Sequence, residues 1–263
     1  MSLAPNASEI DEWYRGKEFA FDWTSVHFPH WIPILAPLRA QGVKVLEIGS
    51  WEGRSALFFL NYLAHSTVTC IDAWDASVCD PDVVERMPEA ANAADKMAWA
   101  FDEFARVQDR FDRNVAPFGE RVTKIKGWSQ EVLPKLSGGD DRFDVIYVDG
   151  DHSAAGVNRD CVLSWPLLAP GGIMIIDDYG FMPDLPAHKR PQAGVDAFLA
   201  AISSRYDELH RAYQLVIQAR RADGEPSKFW QQMRDAPDAL LTYSQSQMKY
   251  EMLAWARPFE KYR

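Results

Sequence analysis

The sequence predicts an α/β protein: a three-layer sandwich with a mostly parallel, seven-stranded sheet covered by helices on both faces. Three observations carry this. Short, nearly continuous apolar runs recur between Val43 and Ala219, as in strands whose two faces are both buried. Helix-compatible segments separate those runs, and such alternation requires parallel strands joined by crossovers. The run Val45-Leu-Glu-Ile-Gly49 passes through Ser-Trp-Glu to Gly53-Arg-Ser55. That is a strand, a tight turn and a helix start, where glycines let the backbone pass close to a ligand and the new helix offers free N–H groups.

Taken in order, residues 1–40 are rich in aromatic side chains (Trp13, Tyr14, Phe19, Phe21, Trp23, Phe28, Trp31) and are expected to form a helical N-terminal cap. Within it His30–Arg39, with Pro33 and Pro37, reads as a helix leading into the first strand. Residues 41–221 form the main domain. Strands are expected at Val43–Gly49, Thr67–Asp72, Val122–Gly127, Phe143–Asp149 and Gly172–Asp177, with one or two closing strands in Leu209–Ala219. Helices are expected at Ser55–Ala64, Gln130–Leu136, Ala154–Leu168 and Val195–Ser203. Residues 76–118 read as a polar, helical insertion. Residues 222–263 follow Asp223-Gly-Glu-Pro226 and read as a helical C-terminal appendage that covers the site or makes a homo-oligomer contact.

The 263 residues suit one domain with additions. Hydrophobic residues make up 47% and charged residues 25%, an ordinary globular balance. The net charge of −10 without a basic run argues against a nucleic-acid partner. Cys70, Cys79 and Cys161 lack metal or redox spacing, so Cys70 and Cys161 read as buried thiols. The N-terminus lacks the basic start and apolar segment of a signal peptide, and no apolar run reaches membrane-spanning length. The expected location is the cytoplasm.

In an open α/β sheet, ligands bind outside the carboxyl ends of the strands. This chain places Glu47 and Gly49 at the end of the first strand and Asp72 at the second, 23 positions after Gly49. That is close to the ~20-residue spacing of an acid that binds ribose hydroxyls. Gly127-Trp128-Ser129 ends the third strand, Asp149-Gly-Asp151-His152 the fourth, and Asp177-Asp178-Tyr179 the fifth. A nicotinamide-binding turn is disfavoured, because Trp51 stands where Gly-x-Gly-x-x-Gly requires its second glycine.

With these motifs in place, the chain resembles a class I S-adenosylmethionine-dependent methyltransferase, a family with a Rossmann-like fold. The resemblance rests on Glu47-x-Gly49-x-Trp51-x-Gly53 and on the set of strand ends from Val43 to Tyr179. Trp51 replaces the usual middle glycine, and catechol-type O-methyltransferases are similar in carrying an aromatic there. Tyr147-Val-Asp-Gly-Asp-His-Ser153 and Leu168-Ala-Pro-Gly-Gly-Ile-Met-Ile-Ile-Asp-Asp-Tyr179 further resemble a bacterial subgroup that includes antibiotic-tailoring and sugar O-methyltransferases.

The resemblance implies roles for individual residues. Glu47, Gly49, Ser50, Trp51, Gly53 and Ser55 would surround the methionine part of S-adenosylmethionine, and Asp72 its ribose. Ala73, Trp74, Gly127, Trp128 and Ser129 would flank the adenine, with Asp149 bordering the cofactor; core packing is the other reading of Trp51 and Trp128. Asp149, Asp177 and Asp178 match the acids with which magnesium-dependent O-methyltransferases bind Mg²⁺. Three hard oxygen donors suit that ion. The other reading makes Asp178 a turn cap and Asp149 a hydrogen-bond acceptor. His152 and Asp151 are the candidate bases, and His152 is also readable as a helix-start residue bonding a local carbonyl. His27 and His30 read either as pocket lining or as part of a second metal site.

The function implied is methyl transfer from S-adenosylmethionine to a hydroxyl of a small molecule, sugar or natural-product-like, with Mg²⁺ assisting. The alternatives are a metal-free N- or C-methyltransferase and a non-catalytic S-adenosylmethionine-binding protein.

Overall fold

The apolar runs become strands because layers of side chains cover both of their faces. The computed structural model describes residues 5–75, 93–137, 139, 142–181 and 183–221. In chain order the helices and strands are α1 (Ala7–Trp13), α2 (Phe28–Leu35), β1 (Lys44–Ile48), α3 (Arg54–Tyr62), β2 (Thr67–Asp72), α4 (Ala93–Val115), β3 (Val122–Lys126) and α5 (Ser129–Leu136). They continue as β4 (Phe143–Val148), α6 (Ala154–Ser164), β5 (Leu168–Ile176), α7 (Pro191–Ala201), β6 (Tyr206–Arg211) and β7 (Leu215–Ala219). The seven strands form one sheet in the order β3-β2-β1-β4-β5-β7-β6.

Strands β1 to β5 pair in parallel, while β7 runs antiparallel between β5 and β6. The sheet is therefore mixed, though mostly parallel. Alternate residues of each strand feed two cores. Val45, Tyr147 and Ile175 join the layer built with α2, α3 and α4. Leu46, Ile48, Ile146 and Val148 join the layer built with α5, α6 and α7. Because the chain leaves β1 for β2 and β3 and then returns to β4, the order reverses between β1 and β4. A crevice opens at their carboxyl ends.

Several boundaries differ from the sequence reading, each for a local reason. The helix expected to run to Leu168 ends at Ser164, because Trp165-Pro166-Leu167 form a 3₁₀ turn and Leu168 already pairs with Phe143. Pro191 opens α7 at its first turn, where its missing N–H costs nothing. The first cap helix spans Ala7–Trp13, and the second begins at Phe28 and gives way at Ala36 to a 3₁₀ turn. Both closing strands form, beginning at Tyr206 rather than Leu209.

Residues 93–115 correct the reading of 76–118 as an insertion. They form the crossover helix that parallel β2 and β3 require, and Val107, Phe111 and Val115 at helical spacing are buried. Residues 76–92 and the expected C-terminal appendage lie outside the described residues, as does Cys79. Cys70 and Cys161 are buried free thiols, as read.

The N-terminal segment is tied to the turn after β1. The buried Glu52 carboxylate accepts the Ala20 N–H at 2.8 Å and the Arg110 guanidinium at 2.7 Å. Asn114 donates to the Glu52 carbonyl at 2.9 Å and accepts the Glu18 N–H at 3.0 Å. A buried ion pair whose lone pairs are also hydrogen-bonded fixes geometry even where its net stabilisation is small. Here it fastens residues 18–20 and α4 to the loop that begins α3. Among the described residues no helix is long and apolar enough to cross a membrane.

Candidate active site

The first half of the site is built from backbone. Gly49 has φ +85°, and a Cβ there would lie 1.9 Å from the Asp149 carbonyl oxygen, so only glycine fits where β1 meets β4. Gly53, at φ +82°, caps the start of α3. Trp51 and Trp74 also adopt positive φ, +46° and +42°. The Asp72 carboxylate holds both, accepting the N–H of Trp51 at 2.8 Å and of Trp74 at 2.7 Å. The Trp74 indole N–H then donates to the Trp51 carbonyl at 2.9 Å. A carboxylate has about four lone-pair sites, so Asp72 keeps acceptor capacity for hydroxyls.

Several buried polar atoms at this turn lack a well-formed hydrogen bond. Both oxygens of the fully buried Glu47, the Ser50 hydroxyl and the Trp51 indole N–H have no well-formed hydrogen bond. Burial pushes the Glu47 carboxyl up to about 7, and the nearby Ser55, Ser50 and Cys70 offset only part of that cost. Native interiors rarely leave such groups unpaired. This donor and acceptor set fits a ligand with a cationic amino group, which would pair the carboxylate.

At the end of β3, the Gly127 N–H donates to the Asp72 carbonyl at 2.9 Å. Ser129 donates its hydroxyl to buried Asp160 at 2.6 Å. Trp128 is 39% exposed.

The second half of the site is built from side chains at the ends of β4 and β5. His152 Nε2 lies 3.5 Å from Asp149 Oδ1 and 3.3 Å from Asp178 Oδ2. Asp149, His152 and Asp178 each offer one ligand atom, all within 4.8 Å of one another. Asp177 stands behind them. One of its oxygens accepts the Asp178 N–H at 2.7 Å, and the other accepts the Tyr147 hydroxyl. Tyr147 also reaches Asp149 Oδ2 at 2.8 Å, and Tyr213 donates to Asp178 Oδ1 at 2.5 Å.

Electrostatics marks this cluster as short of positive charge. Burial and then the Asp177 charge hold the Asp149 carboxyl well above its ordinary range, against His152. Burial likewise raises Asp178, with His152 opposing and Asp177 adding. Burial works against a charged His152, but Asp178 and Asp149 outweigh it and raise its pKa. Adjacent acids in a partly buried pocket favour a bound cation, and hard carboxylate oxygens fit Mg²⁺.

The structure thus gathers Asp149, His152, Asp177 and Asp178. It does not bring Asp151 into the same contact network, because that carboxylate accepts the Ser153 N–H at 2.9 Å and lies against Gly156 at the start of α6. His27 is buried, with Nε2 4.0 Å from Asp177. His30 packs against His210, ring centroids 4.1 Å apart. The two histidines therefore gather no set of three ligands among the described residues. Sequence reasoning missed Tyr147, whose period-2 spacing from Asp149 was a usable signal. It also missed Tyr213, for which nothing local gives a signal.

Comparison with known proteins agrees with this geometry. A family model described as a methyltransferase domain matches residues 46–179, just over half of the chain. A mycinamicin VI 2''-O-methyltransferase of Micromonospora griseorubida is 23% identical over 218 residues, covering 79% of this chain and 45% of the relative. The 8-demethyl-8-(2,3-dimethoxy-alpha-L-rhamnosyl)-tetracenomycin-C 4'-O-methyltransferase of Streptomyces olivaceus is 30% identical over 154 residues, covering 53% and 55%. The chain spans about half the length of these curated relatives.

Among solved structures, MycE methyltransferase in complex with Mg, SAH and mycinamycin VI has TM-score 0.53 at 18% identity, covering 84% of this chain and 56% of that one. The O-methyltransferase NovP has TM-score 0.52 at 19% identity, covering 74% and 78%. Both are similar in fold. With the matched span running from β1 through the acids that end β5, the chain belongs to the methyltransferase-domain family.

Proposed function

We propose that this chain transfers the methyl group of S-adenosylmethionine to a hydroxyl of a small sugar or natural-product-like acceptor, with Mg²⁺ assisting. The observation that carries the reading is the junction of two unlike half-sites: the orphaned polar turn after β1 abuts the acid–histidine cluster through Gly49 and Asp149. The relatives' names, a 2''-O- and a rhamnosyl 4'-O-methyltransferase, support hydroxyl transfer and the acceptor class.

S-adenosylmethionine supplies an electrophilic methyl on a sulfonium, which leaves the protein alignment and a deprotonated nucleophile to provide. Mg²⁺ supplies a Lewis acid that lowers the pKa of a bound hydroxyl. Glu47, Gly49, Ser50, Trp51, Gly53 and Ser55 hold the methionine part, and Asp72 accepts from the ribose. Ala73, Trp74, Gly127, Trp128 and Ser129 flank the base. Asp149 and Asp178 would hold the metal; Asp177, read from the sequence as a third ligand, stands behind them and accepts the Asp178 N–H and the Tyr147 hydroxyl.

His152 takes the acceptor's proton. Its raised pKa is set by the acids beside it, so neutralising them returns it towards the roughly 6.5 of an ordinary histidine and makes it a base near neutrality. Asp151 steadies the loop that carries His152. On the same reading the protein works in the cytoplasm on a free small molecule rather than on nucleic acid, as a homo-oligomer.

The test is incubation with S-adenosylmethionine and a panel of glycosylated natural products, followed by mass spectrometry and NMR of the product. A new methoxy group whose formation stops with EDTA is expected. Methylation at nitrogen or carbon, or turnover indifferent to EDTA, would overturn the reading.

A further inference from the structure

We infer that two tyrosines outside the cofactor turn, Tyr147 and Tyr213, restrict Asp149 and Asp178 to one metal-facing oxygen each, and thereby select Mg²⁺ over Ca²⁺. The inference rests on the metal-assisted reading above.

One oxygen of each acid lies against a phenol: Tyr213 donates to Asp178, while the Tyr147 hydroxyl is shared between Asp149 and Asp177. The Tyr147 hydroxyl, on a fully buried side chain of β4, lies 2.8 Å from Asp149 Oδ2. The Tyr213 hydroxyl donates to Asp178 Oδ1 at 2.5 Å. The remaining oxygens, Asp149 Oδ1 and Asp178 Oδ2, converge on His152 Nε2 at 3.5 and 3.3 Å. The two acids therefore share one focus and meet it with single oxygens.

Tyr213 is itself held in place from several directions. It sits in the turn between β6 and β7, and its carbonyl accepts the Gly180 N–H at 2.9 Å. Gly180 lacks a Cβ where one would lie 3.1 Å from the Tyr213 Cα, so the hairpin tip presses directly on the loop after β5. The Tyr213 ring stacks on His27, centroids 5.6 Å apart and planes 17° from parallel. The next residue, Gln214, accepts the Trp31 indole N–H at 2.7 Å. Asp178 adopts φ +56°, a conformation that persists in a non-glycine residue where the surroundings over-determine it. The hairpin tip is part of those surroundings.

Coordination chemistry links this to ion choice. Ca²⁺ accepts six to eight oxygens in flexible geometry and commonly takes both oxygens of one carboxylate, whereas Mg²⁺ requires a near-ideal octahedron, keeps several waters and uses one or two carboxylates. A phenol seated against the second oxygen competes with the bidentate mode and favours the single-oxygen mode that suits Mg²⁺. Tyr147 and Tyr213 are positioning residues in this scheme, acting through the acids.

The experiment is calorimetric titration of the full chain with MgCl₂ and with CaCl₂, for wild type, Tyr213→Phe and Tyr147→Phe. S-adenosylhomocysteine is titrated into each as a check on the fold and the cofactor half-site. Wild type is expected to prefer Mg²⁺. Each phenylalanine variant should narrow the Mg²⁺/Ca²⁺ affinity ratio by about tenfold, the usual scale for outer partners of a metal site, with S-adenosylhomocysteine affinity unchanged. An unchanged ratio in both variants, alongside wild-type Mg²⁺ binding that Asp178→Asn abolishes, would overturn the inference and leave the metal reading standing. Failure of wild type to bind either cation would overturn both.

Discussion

On the proposed reading, the end of β1 and the ends of β4 and β5 hold a charged ligand in opposite ways. Around Gly49 the work is done by backbone. Gly49, Trp51, Gly53 and Trp74 adopt positive φ, the Asp72 carboxylate accepts the amides of the two tryptophans, and Glu52 ties the turn to Ala20 and Arg110. Around Asp149 the work is done by side chains from distant parts of the chain: His27, Tyr147, His152, Asp177, Asp178 and Tyr213. The backbone-built half is set by short-range sequence and resists change at its glycines. The side-chain half gathers like charge and is held by hydrogen bonds from Tyr147 and Tyr213.

The largest effect should come from breaking the backbone half. In Gly49→Ala the new methyl meets the Asp149 carbonyl at 1.9 Å. Strain plus overpacking of about 3 kcal/mol or more should lower Tm by roughly 10 °C. Differential scanning calorimetry checks this, and a Tm within a degree of wild type would contradict the account of the turn. In the side-chain half, Asp178→Asn keeps a residue that tolerates positive φ but removes a charge. Turnover should fall by roughly a hundredfold or more, with Tm close to wild type. Parallel steady-state kinetics and thermal melts separate those effects.

A subtler contrast lies in pH. Glu47 has a folded pKa of about 7 against 4.5 as its ordinary value. The folded state therefore binds the extra proton between those values. The ligand-free protein carries no penalty from Glu47 below about pH 4.5 and loses up to about 3 kcal/mol as pH rises through 7. Glu47→Gln should stabilise the ligand-free protein at pH 8 and leave it unchanged at pH 4.5. Urea melts at the two pH values would show this, and equal stabilisation at both would refute the assigned cause. The smallest effect is expected at the rim: Ser129→Ala removes the hydroxyl donated to Asp160. The cost should be about 1 kcal/mol in S-adenosylhomocysteine affinity, measurable by calorimetry.

The same contrast explains what was legible in the sequence. The strands were readable because burial on both faces leaves continuous apolar runs, and the turn because glycine has a local signature. The acids were visible one by one at strand ends. Their partners were not. Tyr213 looks like any polar aromatic near a hairpin, and only the folded pairing of β6 and β7 with β5 brings it to Asp178. The helix at 93–115 reads as an insertion because it carries no strand-end motif, while Val107, Phe111 and Val115 carry the packing. Asp151 reads as a base by position, and its carboxylate accepts the Ser153 N–H at the start of α6.

The most direct test of the two-half site is one calorimetric series: S-adenosylhomocysteine, then MgCl₂, titrated into wild type and into Asp178→Asn. S-adenosylhomocysteine is expected to bind both proteins with similar affinity, with a Mg²⁺ heat present only in wild type. Loss of both heats in the variant, or a Mg²⁺ heat that survives the substitution, would contradict the two-half site.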